Sequence, residues 1–509
     1  MSKILPIQES LRRALPTVHG CKDYREQEAL LLKVDQVLRT SGVEQDFLRQ
    51  SQEIFEAASA RAVGAGKKAK AGARAMQRHM QSSVRALRCT ILGRLTGQSY
   101  RELSKSLAMS PLYRWFARLP DFEVIRVPGK STLQGYAHWL PMERMEKVLD
   151  GLTAAVIDPQ KAACLGLEQE LDMACAWVDA TCLKACIHFP TDWVLLRDAV
   201  RTIMKNILTI RRHGLCHRMA PPEVFLGQIN ALSMQMAAAG RRGRAGGKKQ
   251  RKATLRLMKK LSGVAEAHGR RYRKLLDENW QHSDLSTRAQ AEVILRRLDN
   301  VLGQLPEARR QAHERIIGGR KVPNNEKILS LYEHDVHVIV RGKAGADVEF
   351  GNSLFLAENV DGFVIDHQLR REAAPDDGRW LRERLAGIKA KSGSREGSLT
   401  LCADRGFDSA ATSRALEREQ VANAVCPRNP QELARRRAEE SGFAGLLRRR
   451  GATEARIAIL KNLFLEGVPR SKGFAHRQMQ VAWAVLTHNL WVVARLSLAA
   501  QAKEKLLAA

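Results

Sequence analysis

Acidic residues are scarce in this 509-residue chain: 54 Asp and Glu stand against 84 Lys and Arg, leaving a formal charge of +30 and a pI near 10.2. Aromatics are scarce too, at 5%. The nine cysteines form no CxxC pair, and Cys182 and Cys186 lack a second ligand pair at zinc-finger spacing. That argues against a disulfide scaffold or a zinc finger, and the expectation is reduced thiols in a cytosolic protein. No run of 18 uninterrupted apolar residues exists, so no transmembrane helix is expected. The opening MSKILPIQES lacks a basic-then-apolar signal peptide with a small-residue cleavage site. Internal repeats are absent, as is low complexity beyond basic runs.

What is present is 44% hydrophobic content, too much for a disordered basic tail. The length suggests two to four domains and suffices for several cores. A folded protein this positive attracts polyanions. Nucleic acid comes first, with an anionic membrane or a ribosomal surface behind it.

Periodicity predicts two helices over 22–60, broken at Ser41-Gly42. A basic, small-residue stretch at 61–78 reads either as a linker or as a phosphate-contacting arm. Residues 84–145 read as a helical module whose last helix, 131–139, starts at Ser131 after Pro128-Gly129. Tight polar turns there fit a helix-turn-helix DNA reader or any small bundle. Two neighbouring strands are expected at 173–180 and 183–189, then basic helices from 193 to 320. Between 240 and 275 stand about fourteen Lys and Arg against one acid, Glu266. Arg241, Arg242, Arg244, Lys248, Lys249, Arg251 and Lys252 are its candidate DNA contacts. Four strand-like pieces follow over 327–369: KILSLYE, VHVIVR, GADVEFGNSLFLAEN and DGFVIDHQL. After them come a helix at 377–391, the strand LTLCADRGFD, a helix, a last strand VANAVCPRN, and helix over 450–498 broken at GVPRSKGF.

Two acids sit where polar residues are least expected. Asp179 lies in the apolar strand CAWVDATC, and Asp404 closes LTLCADRG. A carboxylate there needs compensation. Divalent metal is one source, because Mg²⁺ takes hard oxygen ligands. For Asp404 an N-cap or a salt bridge with Arg405 would do as well. Glu454 is the best third acid, because Arg450, Glu454 and Lys461 point to about 0°, 40° and 20° around a helix. An ordinary solvated ion-pair face gives the same spacing. Glu439, Glu440 and Glu466 compete for the third position.

WVDATCLKACIHFPTD, SLYEHDVHVIVRGKAGADVEFG, LCADRGFDS and RGATEARIAILKN, taken in that order, resemble a DDE-type transposase of a bacterial insertion sequence. The last of these carries Arg-x3-Glu-x6-Lys, most of a Tyr-Arg-Glu-Lys signature. The signature tyrosine is replaced by Leu447, which removes a phosphate hydrogen bond. SYRELSKSL and PGKSTLQGY match the helical domain that precedes catalysis in such proteins. The resemblance spans roughly 84–495.

It implies an α/β fold: a ribonuclease H-like mixed sheet flanked by helices, with a helical N-terminal domain and a long helical insertion between early strands. The implied boundaries are a basic arm region (1–83), a DNA-binding domain (84–165), a catalytic domain (166–192 and 321–498), the insertion (193–320) and a tail (499–509). It further implies that Asp179, Asp404 and Glu454 are catalytic and hold two Mg²⁺ ions, with Mn²⁺ as a substitute. Arg450 and Lys461 would orient DNA phosphates near the cut, and Arg405 would either do the same or pair with an acid. The partners implied are double-stranded DNA, both element ends and target, and a second copy of the chain, in a bacterial cytoplasm and without a membrane. A protein of this fold that binds without chemistry, or only cuts, is the alternative. An RNA- or ribosome-associated protein explains the charge but not the acids.

Overall fold

The computed structural model describes residues 14–64, 72–120, 124–241, 244–343, 346–393, 399–465, 467 and 472–507. The fold is mixed α/β and mostly helical, with an open mixed sheet of six strands. Eight helices come first: α1 (Lys22–Thr40), α2 (Val43–Gly64), α3 (Ala73–Thr96), α4 (Tyr100–Met109), α5 (Pro111–Phe116), α6 (Lys130–Tyr136), α7 (Met142–Val156) and α8 (Pro159–Cys164). Strand β1 (Cys175–Lys184) leads into α9 (Asp192–Arg212), α10 (Pro222–Arg241), α11 (Arg244–Asn279) and α12 (Arg288–Ala312). Strands β2 (His337–Lys343), β3 (Ala346–Glu358) and β4 (Val364–Leu369) precede α13 (Asp377–Ser392). Then come β5 (Thr400–Ala403), α14 (Ala410–Arg418), β6 (Ala422–Val425), α15 (Pro430–Glu439), α16 (Phe443–Ile459) and α17 (Phe474–Leu507).

The N-terminal helices and the sheet share one apolar core. Leu87, Ile91 and Leu92 of α3 belong to the same cluster as Val178 of β1, Phe355 of β3 and Trp483 of α17. At the heart of the helical part Arg88 is fully buried, held by Glu44 at 2.7 and 3.1 Å and by Asp35 at 2.6 Å. A charge buried this deeply is tolerable only with such partners. The 18-residue apolar stretch of α17, of mean hydropathy 1.3, is 78% buried in this core. Helices α9–α12 close a second cluster of their own, around Ile203, Tyr272 and Leu298.

In the sheet, β3 is the long spine. Its second half pairs antiparallel with β1, from Lys184↔Gly351 to Trp177↔Glu358. Its other edge takes β2 along the first half and β4 along the second. On the far side of β1 lie β5 and β6, both parallel. Gly351 stands at the handover, where a Cβ would run into the Leu183 carbonyl oxygen. Only glycine lets the two backbones approach so closely there.

Four expectations need correction. The two strands at 173–180 and 183–189 are one strand, ending at Lys184; Ala185 and Ile187 leave the sheet to fill a small cluster with Leu329 and Val336. KILSLYE is not a strand. Its Leu329 packs in that small cluster and its Leu331 in the helical one, so its apolar residues serve two cores. Helix α6 is capped at Gly129 without a side-chain bond, not at Ser131. The final helical region also starts earlier than expected, at Phe443, and its α-turns relax to π geometry over Leu460–Phe464.

Candidate functional site

The parallel pairing of β1 with β5 sets Val178 opposite Ala403. The next residue on each strand is an acid, so Asp179 and Asp404 emerge side by side. Side chains alternate along a strand. Trp177 and Cys402, two residues before each acid, face Phe443 of α16 in one apolar cluster, so both acids point to the α16 side of the sheet.

The start of α16 is pinned to the strand carrying Asp179. The Trp177 indole donates to the Leu446 carbonyl at 3.2 Å, and the Arg449 guanidinium stacks 4.7 Å over the same ring. Arg449 also pairs with buried Glu358 at 3.1 Å and donates to the carbonyls of Asn359 and Val360, each at 2.9 Å. Burial raises the Glu358 pKa, and the Arg449 charge opposes that rise. One turn further on, Arg450 and Glu454 face the acids.

The result is a cleft of roughly 560 Å³ lined by Asp179, Thr181, Asp377, Asp404, Arg450, Glu454 and Lys461. It brings together all three predicted acids and both predicted cations of α16. Asp179 is half-buried, and its Oδ1 accepts from the Ala180 N–H at 2.7 Å. Its pKa rises from the ordinary 3.8 to about 6, chiefly through burial. The Ala180 N–H opposes that rise, while the charges of Asp404 and Glu454 add to it and Arg450 subtracts. Asp404 accepts from the Gly406 N–H at 2.8 Å, so it caps the short turn Arg405–Phe407; the cap uses one of its oxygens. Lys461 sits in the π turn and donates to the Thr181 hydroxyl at 3.2 Å.

Glu454 is more open than expected, 57% exposed, with Arg450 3.9 Å away. Its competitors are engaged on α15, Glu439 with Arg435 and Glu440 with Arg436. Glu466 lies outside the described residues. Arg405 is exposed and makes no ion pair with a described residue. Of the basic-segment candidates, Arg242 lies outside the described residues, as does 65–71 of the arm. Lys248 and Lys249 are exposed on α11, and Arg251 and Lys252 are half-exposed. None of the four lines the cleft.

The fourth acid, Asp377, was missed. In PDDGRW, Asp376 caps α13 by accepting from the Arg379 N–H, and Asp377 in the first turn projects into the cleft. Only the doubled aspartate ahead of Gly378 hinted at it. Gly406 separates Asp377 from Asp404: a Cβ there would lie 2.8 Å from one carboxylate and 3.0 Å from the other.

No family model, curated protein or solved structure matches the chain. The chemistry of the cleft therefore rests on its own residues. All four acids offer hard oxygen ligands, the type Mg²⁺ takes. The side-chain-free gap at Gly406 and the strained ionisation of Asp179 both suit a cation. Among the described residues, however, no three His, Cys, Asp or Glu side chains converge tightly enough to cage one.

Proposed function

We infer that this chain is a DDE-type DNA transposase with a ribonuclease H-like catalytic core, cutting DNA at the ends of an insertion sequence and joining them to a target. One observation carries the inference. Three acids far apart in sequence meet in one cleft beside Arg450 and Lys461. The sheet supports it, because antiparallel β3 and β1 followed by parallel β5 suits the implied core.

On this reading Asp179, Asp404 and Glu454, which stand too far apart here to cage an ion, would close on Mg²⁺ together with nucleic-acid phosphate, and the ion would activate the attacking oxygen and offset charge on the leaving one. Water attacks a phosphodiester in line and the 3′ oxygen leaves. That freed 3′-hydroxyl then attacks a target phosphodiester, forming one P–O bond as another breaks. Arg450 and Lys461 hold the phosphates flanking the cut, where guanidinium and ammonium donors bind best. Lys461 is steadied by Thr181. The exposed cations of α11 bind DNA backbone without reading sequence. The polar face of α6, with Lys130, Ser131, Thr132 and Gln134 exposed, is the candidate base reader. The double-stranded DNA ends are bridged by two copies of the chain.

The openness of Glu454 favours the alternative of a protein that binds or only cuts. Both readings meet one assay on DNA spanning the coding region and its flanks, with Mg²⁺ or Mn²⁺. The parent protein should cut at inverted repeats and join the ends to target, while Asp404→Asn and Glu454→Gln bind but do not cut. Cutting without joining supports the alternative. Glu454→Gln cutting at the parent rate removes Glu454 from the ligand set.

A further inference from the structure

Behind Asp404 the cleft continues into a second cavity of roughly 320 Å³, sharing Asp404 and Arg450 with the first. Arg405, Arg437 and Arg450 surround it over an apolar wall of Leu433 and Leu447. The arginines differ from their neighbours on α15. Arg435 is tied to Glu432 and Glu439, and Arg436 to Glu440 and two backbone carbonyls. Arg437 and the Arg405 guanidinium make no hydrogen bond or ion pair with a described residue, and Arg450 stands 3.9 Å from Glu454 with its charge also reaching Asp179.

Three guanidiniums line the cavity against one carboxylate, Asp404, so positive charge is in excess there and a phosphate binding between Arg405 and Arg437 is held through bidentate hydrogen bonds. The apolar wall suits the sugar face beside a phosphate. We propose that this cavity seats the phosphodiester next to the one in the carboxylate cleft, on the same nucleic-acid strand, with Arg437 as its dedicated contact. The proposal rests on the nucleic-acid reading of the cleft and adds the path of the strand: it leaves past Asp404, between β5 and α15. Arg437 is exposed, so its replacement does not threaten folding.

The test is fluorescence anisotropy with a labelled duplex carrying a single-stranded tail, titrated over salt, in Ca²⁺ to prevent cutting. Arg437→Gln should weaken binding about three- to tenfold and flatten the log–log salt slope by about one. A methylphosphonate walked along the tail should abolish that loss at one position only. Millimolar inorganic phosphate should not compete. Unchanged affinity and slope in Arg437→Gln, with Arg450→Gln weakened, overturns the second seat and leaves the cleft reading standing. A loss independent of methylphosphonate position makes Arg437 general surface charge, and competition by free phosphate makes the cavity an anion site; either overturns the proposal. If Arg437→Gln, Arg450→Gln and Lys461→Gln all bind like the parent, the nucleic-acid reading itself fails.

Discussion

Replacing Asp179 with Asn should stabilise the protein at neutral pH. The folded state holds this carboxyl near pH 6 against an ordinary 3.8. That difference of about two units is worth about 3 kcal/mol at ~1.4 kcal/mol per unit. Asp179 keeps some solvent contact, so screening reduces the expected gain to about 1–2 kcal/mol. Asn retains the oxygen that accepts from the Ala180 N–H. The sign follows from proton binding. Between 3.8 and about 6 the folded state binds more protons than the unfolded chain, so the parent loses stability as pH rises through that window. The penalty is full above pH 6 and absent below 3.8. Urea midpoints of parent and Asp179→Asn at pH 8, 6 and 4.5 should differ most at pH 8 and converge toward pH 4.5. Millimolar Mg²⁺ at pH 8 should raise the parent's midpoint and leave the variant's nearly still, because a ligand stabilises only the state that binds it. A variant less stable than the parent at pH 8, or a gap that ignores pH, would refute this account of the cleft.

Arg477→Met should cost about 3–5 kcal/mol, because it strands Glu333 as an uncompensated buried charge; a second change, Glu333→Gln, should recover part of the loss in urea midpoints. Gly351→Ala drives a Cβ into the Leu183 carbonyl. It should cost at least about 3 kcal/mol or leave the protein insoluble, as read by soluble yield and circular dichroism. Reversing Lys248, Lys249, Arg251 and Lys252 to Glu should weaken DNA binding on all sequences alike and flatten its salt dependence in anisotropy titrations. Unchanged binding would make that face of α11 simply solvated.

Much of the cleft was legible because its acids break an apolar strand pattern. Asp179 and Asp404 stand out against Val178 and Ala403, and the spacing of Arg450 and Glu454 put them on one helical face. Asp377 was not legible, since an acid in a first helical turn is ordinary chemistry and only the loop before it turns it inward. KILSLYE misled for a related reason: apolar alternation says that residues are buried, not that a neighbouring strand exists to pair with them. The π turn that carries Lys461 leaves no pattern of its own. Its lysine reaches the cleft by a path that ideal 100° spacing does not describe.

Helices α9–α12 pack among themselves and against Ile328 and Leu331, away from the main core, and join the rest of the chain through two crossings, after β1 and before β2. A unit built this way behaves like a cartridge. Changes confined to it should leave the register that sets Asp179 beside Asp404 intact, since none of its buried apolar residues belongs to the core that fixes that register. Substitutions in the basic helices should therefore leave the strand register untouched, and on the DNA-binding reading proposed above they would alter the hold on a polyanion without moving the residues that line the cleft.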